Sequence, residues 1–411
     1  MEFLSTQLAN GLQIVAECND EAYSTALGFF VRTGARDETD AIAGVSHFLE
    51  HMMFKGTPSR TAADVNREFD AMGAHYNACT GEEATIYYAA VLPEYQERAV
   101  DLLSDILRPL LKPADFQTEK QVILEEIRMY EDQPPFGADE KVRSAHYGSH
   151  PLGRSVLGSI ESVAALPVEA MREYFQRRYS PGNIVLAAAG RVDFAALVRS
   201  VEQRCGAWEP LPAPRDVQPA QPHPGFQCLQ RENAAQQYLL ELVPGPAAED
   251  SDRYAAKILA MILGDDSGSR LYWELVDSGL AEQASLGHYE YEGAGSFLTY
   301  MSCDPEYAAE SLQRIHAVYR QAQNEGFSAE ELTQAKNKVL SRIVLTSERP
   351  RGRLFTVGGD WIQRHEYRSV SADLHAIAAL AIEEITAVLA KYPLTNSTAI
   401  TIGPLAEEAF V

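Results

Sequence analysis

The chain repeats itself at a nearly constant spacing, which limits it to folds in which one unit is built twice. Leu92-Pro93-Glu94-Tyr95 leads into a helical run at 99–103. Asp304-Pro305-Glu306-Tyr307 leads into another at 308–312, and the two prolines are 212 residues apart. Phe116-Gln117-Thr118-Glu119 is matched by Phe327-Ser328-Ala329-Glu330, 211 residues on. Tyr179-Ser180-Pro181-Gly182-Asn183 precedes an apolar strand ending at Gly190. Tyr392-Pro393-Leu394-Thr395-Asn396 precedes one ending at Gly403, 213 residues later. Three matches in order at a nearly constant offset indicate a duplicated domain.

Between the copies, Pro210, Pro212, Pro214, Pro219, Pro222 and Pro224 crowd one short stretch. Such a run stays extended and reads as a linker. The expected division is a first domain over 1–207, a linker over 208–225 and a homologous second domain over 226–411. The 411 residues suffice for two domains of about 200 each. Strand-like segments at 12–17, 26–33, 84–91 and 184–189 mix with helical ones at 61–72, 94–108, 115–130 and 168–177. The fold class expected is α+β, with hairpins rather than strict strand–helix alternation.

The densest chemistry lies at 47–51, His-Phe-Leu-Glu-His. On a helix, His47 and His51 are four apart and share a face. Two imidazoles one turn apart can grip one metal ion, and Glu50 stands beside them as a base. This is the zincin pattern with the glutamate moved next to the second histidine. Ser46 is the expected N-cap. A buried histidine pair with a glutamate needs partners for every polar atom, which a metal would supply.

Two histidines do not complete a catalytic zinc site, which takes three protein ligands and a water. The segment 115–130 reads as an amphipathic helix with Val122, Ile123, Ile127 and Tyr130 on its apolar stripe. Glu119 and Glu126 fall on or beside that stripe, whereas Glu125 points toward water. A carboxylate on a buried stripe must be paired or bound to a metal. Either Glu119 or Glu126 is therefore a candidate third ligand.

The segments 10–12, 44–56, 73–80, 116–129 and 179–190 resemble those of the pitrilysin, insulin-degrading enzyme and mitochondrial processing peptidase family of zinc metallopeptidases. The resemblance runs nearly end to end. That family carries its third ligand in a Glu-x6-Glu pattern, which 119–126 matches. The resemblance implies Glu126 as ligand, Glu119 as a supporting carboxylate, and peptide-bond hydrolysis by zinc with Glu50 as general base. It also implies two α/β sandwich domains facing a cavity. Asn77 and Ala78 inherit the role of an edge strand that pairs with the backbone of a peptide substrate. The second half has lost the metal: Asn337 stands where Glu126 would recur, and 255–264 holds no histidine. One Zn2+ per chain is expected.

One departure is informative. Many family members carry an Arg and a Tyr, seven apart, around a Gly-Leu-Ala-Tyr segment of the second half. Here Asp277 stands where the Arg is expected and Glu282 where the Tyr is, with shortened spacing. An acidic pair cannot stabilise a developing oxyanion. The resemblance therefore implies a heterodimer, whose homologous partner subunit lacks zinc and supplies the Arg and Tyr; a homodimer is the other arrangement. Two further readings are a dedicated maturation protease for one precursor peptide and a non-catalytic scaffold subunit. Scaffold members typically lose the metal residues that this chain keeps.

The net charge of −23 argues against nucleic acid and anionic membrane surfaces as partners. An acidic chamber would favour basic peptides, although solubility alone also explains the charge. No apolar run approaches the roughly 18 residues of a membrane span. The first residues lack the pattern of a signal peptide. The five cysteines are scattered, odd in number and form no Cys-x-x-Cys. A reducing, cytoplasmic setting is expected, and a periplasmic one would require a leader that had been removed.

Overall fold

The computed structural model describes residues 1–132, 135 and 137–410. They form two compact units, each drawn from separate stretches of chain. The first comprises Met1–Arg128, Arg154–Asp216 and Leu345–Arg368; the second comprises Met129–Gly153, Val217–Val344 and Ser369–Val411. A single cut at the proline-rich stretch groups the chain differently, because each half of the sequence gives one segment to the other unit.

The first unit is built on six strands: β1 (Glu2–Gln7), β2 (Gln13–Cys18), β3 (Thr25–Val31), β4 (His75–Thr80), β5 (Thr85–Val91) and β6 (Ile184–Gly190). Their order is β1-β2-β6-β3-β5-β4. Only β2 and β6 run parallel; the other neighbours are antiparallel. The second unit has β7 (Gly225–Gln230), β8 (Gln237–Pro244), β9 (Gln283–Tyr291), β10 (Ala294–Cys303) and β11 (Thr398–Gly403) in the order β7-β11-β8-β10-β9. Its one parallel pair is β7 with β11. Leaving out β1, the two sheets have the same order and the same strand senses. The repeat in the sequence is thus a repeat of topology.

The expected strands of the first half agree with the structure to within one or two residues. The pattern does not predict β1. That strand lies at the sheet edge with most side chains exposed, so it carries little apolar alternation.

Each sheet is covered on both faces, since side chains alternate along a strand. In β3, Leu27 and Phe29 are buried on one face; Ala26 and Phe30 are buried on the other. The Ala26–Phe30 face is covered by the helix Pro350–Arg364, whose Leu354, Val357 and Ile362 join Val15, Val185 and Ala187 in one apolar cluster. A side chain at Gly358 would come within 2.4 Å of the Phe30 ring, so glycine lets the helix lie close. Below it, Arg353 meets Glu17 of β2 through two hydrogen bonds, at 2.8 and 2.6 Å, and Tyr367 donates a third at 2.8 Å. Both charged side chains are almost wholly buried.

The second unit repeats this plan. Leu239 and Val243 of β8 pack with the helix Arg253–Gly264. On the opposite face, Leu240 and Leu242 pack with Ala138 and Val142 of the helix Ala138–Tyr147. That helix comes from the front half of the sequence, as Pro350–Arg364 comes from the back half. The exchange is reciprocal.

Candidate metal centre

The pentad lies on the helix Val45–Met53. Its N-cap is not Ser46, as the sequence suggests, but Gly44, which has φ +89°. The capping acceptor comes from farther away. The Glu38 carboxylate accepts from the backbone N–H of Gly44 and of Ser46, each at 2.7 Å. A carboxylate here satisfies donors that the helix cannot and faces the positive end of its dipole. Burial pushes Glu38 up to about 8, against the pull of these donors. Ser46 is buried instead, and its hydroxyl bonds to the Tyr174 hydroxyl at 2.7 Å. The Tyr174 hydroxyl also meets Thr33 Oγ1 at 2.7 Å.

A second helix, Pro113–Asp132, supplies the carboxylates. Phe48 of the pentad helix stacks on its Phe116, with centroids 4.6 Å apart and both rings fully buried. This contact fixes where Glu119 and Glu126 fall. The stripe differs from expectation at Val122, which is 47% exposed; Ile123, Leu124 and Ile127 are the buried positions. Glu125 is exposed and paired with Arg128.

Three of the anticipated residues come together. His47 Nε2 and His51 Nε2 each lie 3.9 Å from Glu126 Oε2. One ligand atom from each of the three lies within 4.8 Å of the others. Donors around a tetrahedral zinc are roughly 3.4 Å apart, given bonds of about 2.1 Å. The donor types and spacing therefore fit such an ion, needing only a slight contraction.

Electrostatics fit as well. Burial, helped by neighbouring His51, holds the His47 imidazole down at about 3, so it is neutral at ordinary pH. Its Nδ1 is buried without a hydrogen-bond partner among the described residues. The Nδ1 of His51 meets Glu119 Oε1 at 2.9 Å, and the other Glu119 oxygen takes Lys55 Nζ at 2.6 Å. Burial tends to raise the Glu119 pKa, but these two partners bring it below the usual value. A carboxylate at Nδ1 assigns the proton there and leaves Nε2 as a lone-pair donor toward Glu126.

Glu50 accepts a hydrogen bond from the Thr80 hydroxyl at 2.5 Å. Burial raises its pKa, with Glu126 acting in the same direction and Thr80 and His51 against it. Thr80 ends β4, the outermost strand, whose outer side has no strand neighbour among the described residues. Asn77 and Ala78 lie on that strand. Asn77 is exposed, and its side-chain oxygen covers the Ala78 N–H at 2.9 Å.

Lys55, Thr80 and Glu38 escaped the sequence reading. Lys55 is four residues after His51, a helical spacing that could have been read. Nothing in the sequence ties Thr80 or Glu38 to the pentad.

The second unit has no equivalent cluster among the described residues. Asn337 lies on the helix Ala329–Ser347. That helix is joined to the end of Arg253–Gly264 by ion pairs of Lys338 and Arg342 with Asp265, the first at 2.7 Å. Asp277 and Glu282 are both exposed. Nearby Arg270 is held by Glu331 at 2.6 Å and by the Gly326 carbonyl at 2.8 Å.

A two-unit α+β fold carrying an inverted zincin pentad and a downstream glutamate defines a class of zinc metallopeptidases. The chain belongs to peptidase family M16, the insulinase family. Residues 13–160 match the family described as Insulinase (Peptidase family M16), and residues 165–339 match the Peptidase M16 inactive domain. An uncharacterized zinc protease of Mycobacterium leprae is 32% identical over 410 residues, covering 98% of this chain and 92% of its own. One of Mycobacterium tuberculosis is 31% identical over 406 residues, covering 97% and 92%. The fold matches a protease from Helicobacter pylori with a TM-score of 0.92 at 20% identity, over 98% of this chain and 99% of that one.

Proposed function

We propose that this chain is a zinc endopeptidase that hydrolyses peptides laid in extended form along β4. The convergence of His47, His51 and Glu126 within 4.8 Å, with Glu50 on the same helix, is the observation that supports this most. A zinc ion held by these three residues would polarise the scissile carbonyl and acidify a water. Glu50 takes a proton from the attacking water and passes it to the leaving amine. Its hydrogen bond from Thr80 aims the carboxylate, and its buried setting makes it a better base than a solvated one. Glu119 and Lys55 hold His51 in its tautomer and orientation. Asn77 and Ala78 offer main-chain groups to the peptide, which favours broad cleavage over reading of one sequence.

Elemental analysis of the purified chain is expected to give about one zinc per chain, the single-ion stoichiometry of a three-ligand catalytic site. Chelation should abolish cleavage of a mixture of unrelated peptides, and added zinc should restore it. Absence of zinc would favour the scaffold reading, and cleavage of a single precursor alone would favour a dedicated maturase. The five cysteines are scattered, odd in number and form no Cys-x-x-Cys, a usage that suits a reducing, cytoplasmic setting.

The enzyme works as the zinc-bearing member of a pair. Asp277 and Glu282 stand where the family resemblance expects an Arg and a Tyr, and an acidic pair cannot stabilise the negative charge that develops on a scissile carbonyl oxygen. A homologous partner without zinc would bring the missing Arg and Tyr. Adding such a partner is expected to raise turnover, and strong hydrolysis by the chain alone would exclude this arrangement.

A further inference from the structure

The edge strand β4 has a second chemical feature, at the end away from Glu50. His75, its first residue, is exposed and meets the guanidinium of Arg351, with Nη1 3.5 Å from both ring nitrogens. Arg351 lies at the start of the helix Pro350–Arg364, within the same compact unit. It is exposed, and among the described residues no carboxylate lies within ion-pairing distance of it. Arg36, Arg60, Arg178, Arg215 and Arg353 of the same unit are all paired with acids. Those side chains are buried or half-buried and spent on their acids, whereas the exposed Arg351 guanidinium keeps its charge available to a ligand beside β4.

Strand geometry sets what this cation could meet. From Thr80, bonded to Glu50, back to His75 is five residues, about 17 Å of extended chain. A peptide added antiparallel to β4 runs from the Thr80 end toward the His75 end. Its residues beside His75 therefore lie C-terminal to the bond held at Glu50. Side chains opposite one another across two strands share a face. His75 and Arg351 meet on one face of β4, and Thr80 points to the other.

We infer that Arg351, supported by His75, is a specificity-determining residue that binds a carboxylate of the peptide about five residues C-terminal to the scissile bond. The carboxylate is either an Asp or Glu side chain or the free C-terminus of a peptide that ends there. This rests on the proposed peptide site along β4 and adds to it a preference opposite to that expected from net charge alone. The interaction is solvent-exposed and contributes modestly, as such pairs do.

The test measures binding, so it does not depend on turnover. Full-length, zinc-loaded Glu50→Gln protein would be titrated with fluorescent peptides of one neutral sequence. These carry Asp, Asn or Lys in turn at positions three to seven beyond the scissile bond, or end there as free acid or amide. We expect Asp to bind about fivefold tighter than Lys at one of these positions, as an exposed ion pair allows. Adding Arg351→Glu should reverse that preference. A side-chain effect without a terminal one identifies the acidic residue as the ligand, and the converse identifies the C-terminus. If Asp and Lys peptides bind equally and Arg351→Glu changes no ratio, the assignment of Arg351 is overturned. If no peptide binds at all, the peptide site itself fails and this inference with it.

Discussion

Glu50→Gln is expected to keep zinc at the wild-type level and to lower kcat by about 10²–10⁴, the usual contribution of a positioned general base. The substitution is nearly isosteric. The amide oxygen can still accept from Thr80, and His47, His51 and Glu126 are untouched. What is lost is the capacity to take a proton. Zinc analysis, circular dichroism and turnover on one peptide separate these effects. Wild-type turnover in the variant would rule Glu50 out as the base; loss of zinc would mean that it helps hold the ion. The wild-type pH profile carries the same signature. Burial raises Glu50, so activity should be lost on acidification at a pH above the ordinary carboxylate range.

Arg353→Ala is expected to destabilise the first unit by about 3–5 kcal/mol, the usual cost of stranding a buried charge. Glu17 would keep Tyr367 but lose both guanidinium bonds, within a cluster that includes Leu354 and Val357. Replacing both partners with apolar residues, as in Glu17→Leu with Arg353→Met, should recover most of the loss, because no uncompensated charge remains. Urea unfolding of the three variants checks this. A cost below about 1 kcal/mol for Arg353→Ala, in the range of exposed pairs, would show that water reaches Glu17.

The parts of the site legible in the sequence are those written in local spacing. His47, Glu50 and His51 share one helix, and Glu119 and Glu126 sit two turns apart beside one apolar stripe. Their convergence depends on a long-range contact, Phe48 against Phe116, that no local pattern encodes. The cap was misread for the same reason. Ser46 has the right residue type in the right place, yet Glu38 and Tyr174 claim its backbone and side chain. The repeat foretold two similar units, and the matching sheet orders agree. It did not foretell which helix each unit owns. Apolar periodicity says that Pro350–Arg364 hides a face; it does not say under which sheet.

That ownership bears on the chain's ancestry. A duplication of one self-sufficient unit would leave two units, each complete within its own stretch of sequence. Trading the equivalent helix instead is the arrangement of a domain-swapped pair. The present polypeptide has the form of such a pair made covalent, with the tail of one ancestral subunit joined to the head of the next through the proline-rich stretch. Neither stretch of sequence encodes a finished body, and a cut in the connector would leave each piece with one helix built into the other's unit.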